Sequence, residues 1–429
     1  MELSIFFGIF VILLFIGAPI YLSLIVPSLV YIAMTGVLTW NIASQKLLVA
    51  LNSFPLMAVP LFMLAANIMN QGSVTKRLFG FARACVGHFR GGLGYVNVFA
   101  SLIFSGMSGS ALADVGGLGQ IEIRAMRDAG YDDDFTFGVT AASGTIGPIV
   151  PPSIPFVIFA GFAGVSTGAL FLGGLIPGVV LAAVLCAYVF IIAKKRNYPK
   201  DAPITAKQFF GHLKESWLAL LLPFIIIGGI WSGWFTPTEA ALIAIVYALI
   251  ICMFVYKDFG FKHLPKILLD TAKGCVPVMM VVVGGTLFCW IITYNKIDQL
   301  LFNSLVALTD SKWVVLLIIC VVVTFCGMFF EGTVITMLLT PVFLPICAQY
   351  HINIIHLGVI VTLGQMIGLL TPPVGMSLYV MSSVTGKRVD TLIKYIMPWF
   401  IPLAISWLLV VLFEPLSTFI PTLAGMGLS

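Results

Sequence analysis

The chain has 429 residues, of which 60% are hydrophobic and only 9% charged, with a mean hydropathy of +1.10. Soluble domains carry about 25% charged residues, so this surface cannot face water on every side. The net charge of +5, from 22 Lys+Arg against 17 Asp+Glu, is spread over short loops and forms no contiguous basic face, which argues against a nucleic-acid partner.

Apolar runs of about 20 residues recur from end to end, the pattern of an all-α polytopic membrane protein. Short segments of alternating polarity, the mark of a membrane β-barrel, do not occur. The eight cysteines form no C-x-x-C pair and lie mostly in apolar runs, so they read as small core residues. The N-terminal MELSIFFGIFVILLFIGAP carries Glu2 where a signal peptide would be basic, and is expected to be retained as a first span.

In chain order, residues 1–200 are expected to hold spans at 3–17, 19–38 and 50–70, an amphipathic stretch at 74–90, a hairpin at 94–128, a broken helix at 135–163 and a last span at 168–193. Residues 215–429 repeat that order: 216–234, 237–256, 270–293, an amphipathic 296–309, a hairpin at 313–349, a broken helix at 357–386 and a last span at 392–420. The 3–17 run makes only about 22 Å of helix, and the alternative is one helix continuous with 19–38. Five cationic stretches, Lys76 to Arg90, Arg124 to Arg127, Lys194 to Lys214, Lys257 to Lys273 and Lys387-Arg388, belong on the cytoplasmic side by the positive-inside rule. Both termini then lie outside, and the two hairpins open in opposite directions.

The two halves share more than their order. Residues 142–155 read ASGTIGPIVPPSIP and residues 363–376 read LGQMIGLLTPPVGM. Gly147 and Gly368 stand 221 positions apart, as do Pro151-Pro152 and Pro372-Pro373, and Gly106-Met107 and Gly327-Met328. Matches in register and in the same context indicate an inverted internal repeat. Such repeats with interrupted helices mark secondary transporters, and irregular backbone at membrane depth is tolerated where it lines a cavity.

Each break removes two backbone donors and leaves carbonyls for a cation, while the half-helix that follows offers its N-terminal N–H groups to an anion. Hydroxyls cluster at the first tip (Ser105, Ser108, Ser110), opposite Ser143, Gly144 and Thr145. At the second, Thr333 and Thr336 face Gly364, Gln365 and Thr371. Oxygen donors with few carboxylates suit Na⁺ better than a divalent ion. The bland alternative is that these small residues only permit close helix packing. Asp114 and Glu331, acids in apolar surroundings, are candidates for function, for orienting a hairpin, or for carrying a proton. Cargo candidates are Ser108, Asp114, Pro152, Ser153, Thr333, Thr336 and Pro373. No Lys or Arg falls in the tips or breaks. Glu239, after Thr236-Pro237-Thr238, reads as a helix-start acid.

SGMSGSALADVGGLG (105–119), GPIVPPSIPF (147–156), GMFFEGTVITMLLTPVFLPI (327–346) and IGLLTPPVGMSLYV (367–380) resemble the large membrane subunit of tripartite ATP-independent periplasmic (TRAP) transporters, the DctM-like family. The resemblance implies an elevator-type fold in the bacterial inner membrane, with hairpins and broken helices forming a transport domain and the remainder a scaffold. It implies sodium as coupling ion, a small four-helix membrane subunit, and a periplasmic binding protein that delivers an organic acid. The sodium sites would be Ser108 and Ser110 with Gly144, Thr145, Val150 and Pro151, and Gly327, Glu331 and Thr333 with Gly364, Gln365 and Thr371. Many relatives carry Asp where this chain has Glu331. The wording lies closer to sialic-acid members than to C4-dicarboxylate ones.

Two rival readings of these residues exist. Gly106-Met107-Ser108-Gly109 matches the G-x-S-G of rhomboid-type intramembrane proteases, but such a serine needs a base within reach. The five histidines are expected in loops or flanks, outside the spans. A gated channel could use the same cavity but would not need two inverted hairpins.

Overall fold

The computed structural model describes residues 1–202 and 204–426, and among them all regular structure is helical. Six helices are long and apolar enough to cross a membrane by themselves, among them Thr167–Arg196, Ala206–Trp231 and Phe261–Tyr294. The chain is thus a multi-pass membrane protein.

The N-terminal segment forms two helices, Glu2–Phe15 and Ile20–Thr35, which turn at Gly17 with φ 79° and pack on each other. The continuous-helix alternative is therefore not what forms. Phe6 meets Tyr31 at 5.7 Å and Phe288 at 4.6 Å between ring centroids, tying this pair to the helix Leu264–Tyr294. A helix at Trp40–Val49, absent from the sequence reading, precedes Ala58–Gln71. The expected last span 392–420 is interrupted: helices Val389–Ile396, Phe400–Leu412 and Pro415–Leu423 follow one another, because Pro415 cannot continue the helix before it. Thr236 and Glu239 form a reciprocal cap at the start of Pro237–Leu249, as the sequence led one to expect.

Both predicted hairpins fold back on themselves. In the first, Gly92–Ser108 is followed by the short Ala111–Gly116 and by Leu118–Asp128, a subdivision the sequence did not reveal. Its ends meet where the Leu93 N–H donates to the Tyr131 hydroxyl at 3.4 Å. In the second, Lys312–Gly327 turns into Gly332–Gln349, and its ends meet where the Tyr350 hydroxyl donates to the Thr309 carbonyl at 2.6 Å. Each broken helix is two helices: Asp133–Ser143 with Ile154–Ala163, and Ile354–Gly368 with Met376–Thr385. The leading member of each pair is buried on every face, from Phe135 to Ser143 and from Ile355 to Gly368; the first break is buried throughout, whereas the second opens to partial exposure at Thr371 to Val374.

The halves interlock reciprocally. Ile154–Ala163 packs on Gly332–Gln349, and Met376–Thr385 packs on Ala111–Gly116, so each half's second half-helix lies on the other half's hairpin. Four of the five basic stretches meet acids at one end of this bundle. Arg83 pairs with Asp201 at 2.6 Å, Arg127 with Asp133 at 2.8 Å, Arg196 with Asp134 at 2.7 Å, and Lys387 also with Asp133 at 3.1 Å. The Arg127 guanidinium, aided by Lys387, holds the Asp133 carboxyl below its ordinary range. Helix Phe400–Leu412 leads away from that end to Glu414, which pairs with Lys312 at the mouth of the second hairpin at 2.9 Å.

Gly327 and Gly368 touch across the second hairpin and its break, and a Cβ on Gly327 would lie 2.7 Å from the Gly368 Cα. Gly327→Val should therefore cost about 1–3 kcal/mol by overpacking and lower the unfolding temperature of the purified protein. Gly211→Ala, with nothing within 4 Å of the new Cβ, should be neutral or slightly stabilising. Equal stability of the Gly327→Val variant and the parent would contradict the packing described.

Candidate functional site at the two helix breaks

A cavity of about 220 Å³ lies where the two tips and the two breaks converge. Its wall includes Ser108, Ser110, Pro148, Ile154, Glu331 and Thr333. Three helices present their first turns to it: Ala111–Gly116, Ile154–Ala163 and Gly332–Gln349. First-turn N–H groups have no partner within their own helix and carry the positive end of the helix dipole, so together they make a region of positive potential. Against this stands one acid, Glu331, whose carboxylate accepts from the Thr333 hydroxyl at 3.1 Å. No Lys or Arg contributes to the wall.

The breaks are held open by specific contacts. Ser153 caps Ile154–Ala163 by accepting from the Phe156 N–H at 3.2 Å, and its own hydroxyl donates to the Pro148 carbonyl. That carbonyl lost its helical donor to Pro152, so the serine replaces what the proline removed. The Ile154 N–H donates to the Gly109 carbonyl of the first tip at 3.4 Å, and the Gly375 N–H donates to the Met328 carbonyl of the second at 3.0 Å. Positions 154 and 375 are again 221 apart. Both proline pairs are joined by cis peptide bonds.

The remaining sequence candidates are distributed around this centre. Ser108 donates to the Asp114 carboxylate, whose other oxygen has no protein partner and lies against Gly147; Asp114 is buried one layer behind the cavity wall. Ser110 caps the short helix through the Ala113 N–H at 3.5 Å. Thr145 donates to the Ala142 carbonyl at 2.6 Å, and Gly144 packs on Val115. Gln365 donates to the Thr336 hydroxyl at 2.7 Å, while its own carbonyl oxygen points at Gly332 without a hydrogen-bond partner. Thr371 donates to its own helix at Ile367, at 2.7 Å. Val150, Pro151 and Pro152 are buried away from the wall, Gly364 packs against Trp407, and Pro373 is exposed.

Some residues escaped the sequence reading. Asn67 and Asn70, from Ala58–Gln71, line the cavity, and Asn67 donates to Thr271 on Leu264–Tyr294 at 2.9 Å. Their signal was a pair of amides three residues apart in an apolar run. Asn97 donates to Thr140 at 2.7 Å and accepts from Ser143 at 2.5 Å, tying the first hairpin to the helix that leads into the break. The expectation that all histidines lie in loops or flanks fails for two. His212 lies within Ala206–Trp231, and His356 is buried in the first turn of Ile354–Gly368, 2.6 Å from the Ser417 hydroxyl. Neither lines the cavity that Ser108 faces, so Ser108 gains no base from them.

A cavity at interrupted helices, mainly apolar but carrying hydroxyls, amides and one acid, enclosed in an apolar multi-helix bundle, defines a membrane transporter. The family model of the tripartite ATP-independent periplasmic transporter, DctM component, matches residues 7–416, and the chain belongs to that family. It is 44% identical over 415 residues to a sialic acid TRAP transporter permease protein of Haemophilus influenzae, covering 97% of this chain and 67% of that one. It is also 44% identical over 411 residues to a sialic acid TRAP transporter large permease protein of Vibrio cholerae, covering 96% of each. The C4-dicarboxylate TRAP transporter large permease protein of Pseudomonas aeruginosa is 36% identical over 382 residues, with 89% of this chain and 90% of that one covered. Among solved structures, the Alcanivorax borkumensis YdaH transporter superposes with a TM-score of 0.64 at 17% identity, over 89% of each chain, which speaks to the fold alone. These relatives are named as permeases, in keeping with the reading that the chain is not an enzyme.

Asn97→Leu should strip the Thr140 hydroxyl of its amide donor and leave Ser143 only its bond to the Thr140 carbonyl at 3.2 Å, at about 1–3 kcal/mol for a group left unsatisfied. Thermal unfolding should show this as a clear loss of stability, and an unchanged transition would remove Asn97 from the framework of the break.

Proposed function

We propose that the chain is the large membrane subunit of a sodium-coupled uptake system for an organic acid anion, of the sialic-acid type first and the C4-dicarboxylate type second. The observation that carries this reading is the meeting of both tips and three helix N-termini around one cavity that also holds an acid. The higher identity to the two sialic acid permeases supports the choice of cargo.

The charge balance supplies a reason for coupling. Helix N-termini favour a carboxylate, but each is worth only about half a charge, and the ionised Glu331 would repel an anion. A sodium ion held by Glu331, Thr333 and nearby hydroxyls and carbonyls cancels that repulsion, so ion and cargo bind better together than apart. Ser108, Ser110 and the carbonyls of the first break would form the other ion site. The cavity is smaller than the roughly 300–1,000 Å³ usual for drug-sized ligands. A dicarboxylate fits with little change, and a nine-carbon sugar acid requires the tips to part.

The repeat is read as inverted, with both hairpins re-entrant. Hairpins and broken helices move as one body against a scaffold that includes Ala58–Gln71 and Leu264–Tyr294, in an elevator mechanism. The cavity straddles that boundary, since Asn67, Asn70 and Gly274 come from the scaffold side. A small four-helix membrane subunit would cover part of the scaffold in the bacterial inner membrane, and a periplasmic binding protein would deliver the cargo.

The test is uptake of labelled sialic acid and of C4-dicarboxylates into vesicles holding the chain, its small partner and the binding protein. Uptake should require an inward sodium gradient and should be weak for the chain alone. Glu331→Gln should raise the sodium needed for half-maximal uptake about tenfold or more, one charge-assisted contact being worth ~1.5–3 kcal/mol. Uptake driven equally by a proton gradient without sodium would overturn the coupling assigned.

A further inference from the structure

A second concavity, of about 490 Å³, lies far from the breaks at the end where Arg83, Arg127 and Arg196 meet their acids. It is formed by the amphipathic helix Val74–Val86, the turn that follows, the stretch around Asp201 and the start of Ala206–Trp231. Lys76, Gly80 and Arg83 stand at positions i, i+4 and i+7 and so share one helix face. His88 and His212 complete the wall, and Asp201 is its only acid.

Charge and depth together identify what this cleft suits. Asp201 occupies Arg83 through two bonds, at 2.6 and 3.0 Å to Nε and Nη2, which leaves Nη1 directed elsewhere. Lys76 forms no ion pair among the described residues. Arg77, over the Tyr256 ring at 4.2 Å, and Glu215 line the adjoining hollow together and offset each other there. The cleft is therefore net cationic. Helix Ala206–Trp231 has 26 residues, about 39 Å at 1.5 Å per residue, against a hydrocarbon core of about 30 Å. The excess of about 9 Å carries one end beyond the hydrocarbon, and Lys207 and Lys214 make the N-terminal end the one suited to the level of lipid phosphates. Phe79, Ala84 and Ile204 give the cleft wall its apolar part. Gly80 keeps the floor open, since a Cβ there would sit 3.6 Å from the His212 ring.

We propose that this cleft binds the headgroup of an anionic phospholipid, with Lys76, Arg83 and His212 around the phosphate. Basic pockets between helices at a membrane surface recognise such headgroups. The occupant is a lipid of the leaflet bordering the basic end, which would fix the amphipathic helix Val74–Val86 against the scaffold.

The test uses the purified full chain in nanodiscs of phosphatidylcholine alone or with phosphatidylglycerol, reading the unfolding temperature and the lipid retained by native mass spectrometry. Phosphatidylglycerol should stabilise the parent and co-purify with it. Lys76→Gln should weaken retention about fivefold, as expected for one interfacial cation. Gly80→Leu keeps every charge and fills the cleft, so it should abolish the selective retention. Lys194→Gln, an exposed cation outside the cleft, should leave it unchanged. Retention and stabilisation equal to the parent's in both cleft variants would overturn the site. The same stabilisation by inorganic phosphate in phosphatidylcholine discs would overturn the lipid as its occupant, and loss of the effect in Lys194→Gln would reduce it to diffuse surface charge.

Discussion

The structure depends on how backbone polar groups are satisfied where two helices are cut in the middle of an apolar bundle. An unpaired N–H or C=O there costs several kcal/mol, so a break persists only if something else supplies its partners. Here each break finds them in the tip of its own half's hairpin. Ile154 reaches the Gly109 carbonyl, Gly375 reaches the Met328 carbonyl, and Ser153 serves the Pro148 carbonyl that Pro152 left without a donor. The contacts demand small residues at the approach. Gly109 adopts φ 61° against Pro152, and Gly327 lies directly on Gly368.

What the breaks make possible follows from the same geometry. Cutting a helix at its centre exposes a first turn that would otherwise be buried in the hydrogen-bond ladder. One such turn, that of Ile154–Ala163, joins the first turns of two helices that start at the hairpin tips, Ala111–Gly116 and Gly332–Gln349, and together they create positive potential around one cavity without a lysine or arginine, and therefore without the cost of burying a full cation. The scaffold contributes amides, Asn67 and Asn70, which can donate or accept as a changing occupant requires.

Much of this could be read in advance because it was written in unusual residue types. Prolines in pairs, serine-rich tips and a constant spacing of 221 stand out in a chain that is otherwise aliphatic, and they located both hairpins and both breaks. Periodicity said less. A helix buried on all faces, such as Ile354–Gly368, shows no amphipathic stripe, so its exact ends could not be inferred. The helix Trp40–Val49 is short and weakly patterned and passed for a loop. The layering of the site was also hidden, because sequence distance does not reveal that Ser108 and Thr333 face the cavity while Thr336 and Gln365 bond to each other behind it. The run Asp132-Asp133-Asp134 was overlooked because acids in a loop look like solvated surface. In the fold they gather Arg127 and Arg196 from the ends of two helices and Lys387 from the turn after a third.

The most direct measurement places a single cysteine at Ala113, in the cavity wall, in a background from which the native cysteines have been removed. Its rate of reaction with a membrane-impermeant thiol reagent is then followed in vesicles. Exposure to water from one face, with marked slowing when sodium and cargo are both present, is what a central site that holds ion and acid together requires. A rate indifferent to both, from either face, would mean that the space between the two tips is not where the cargo binds.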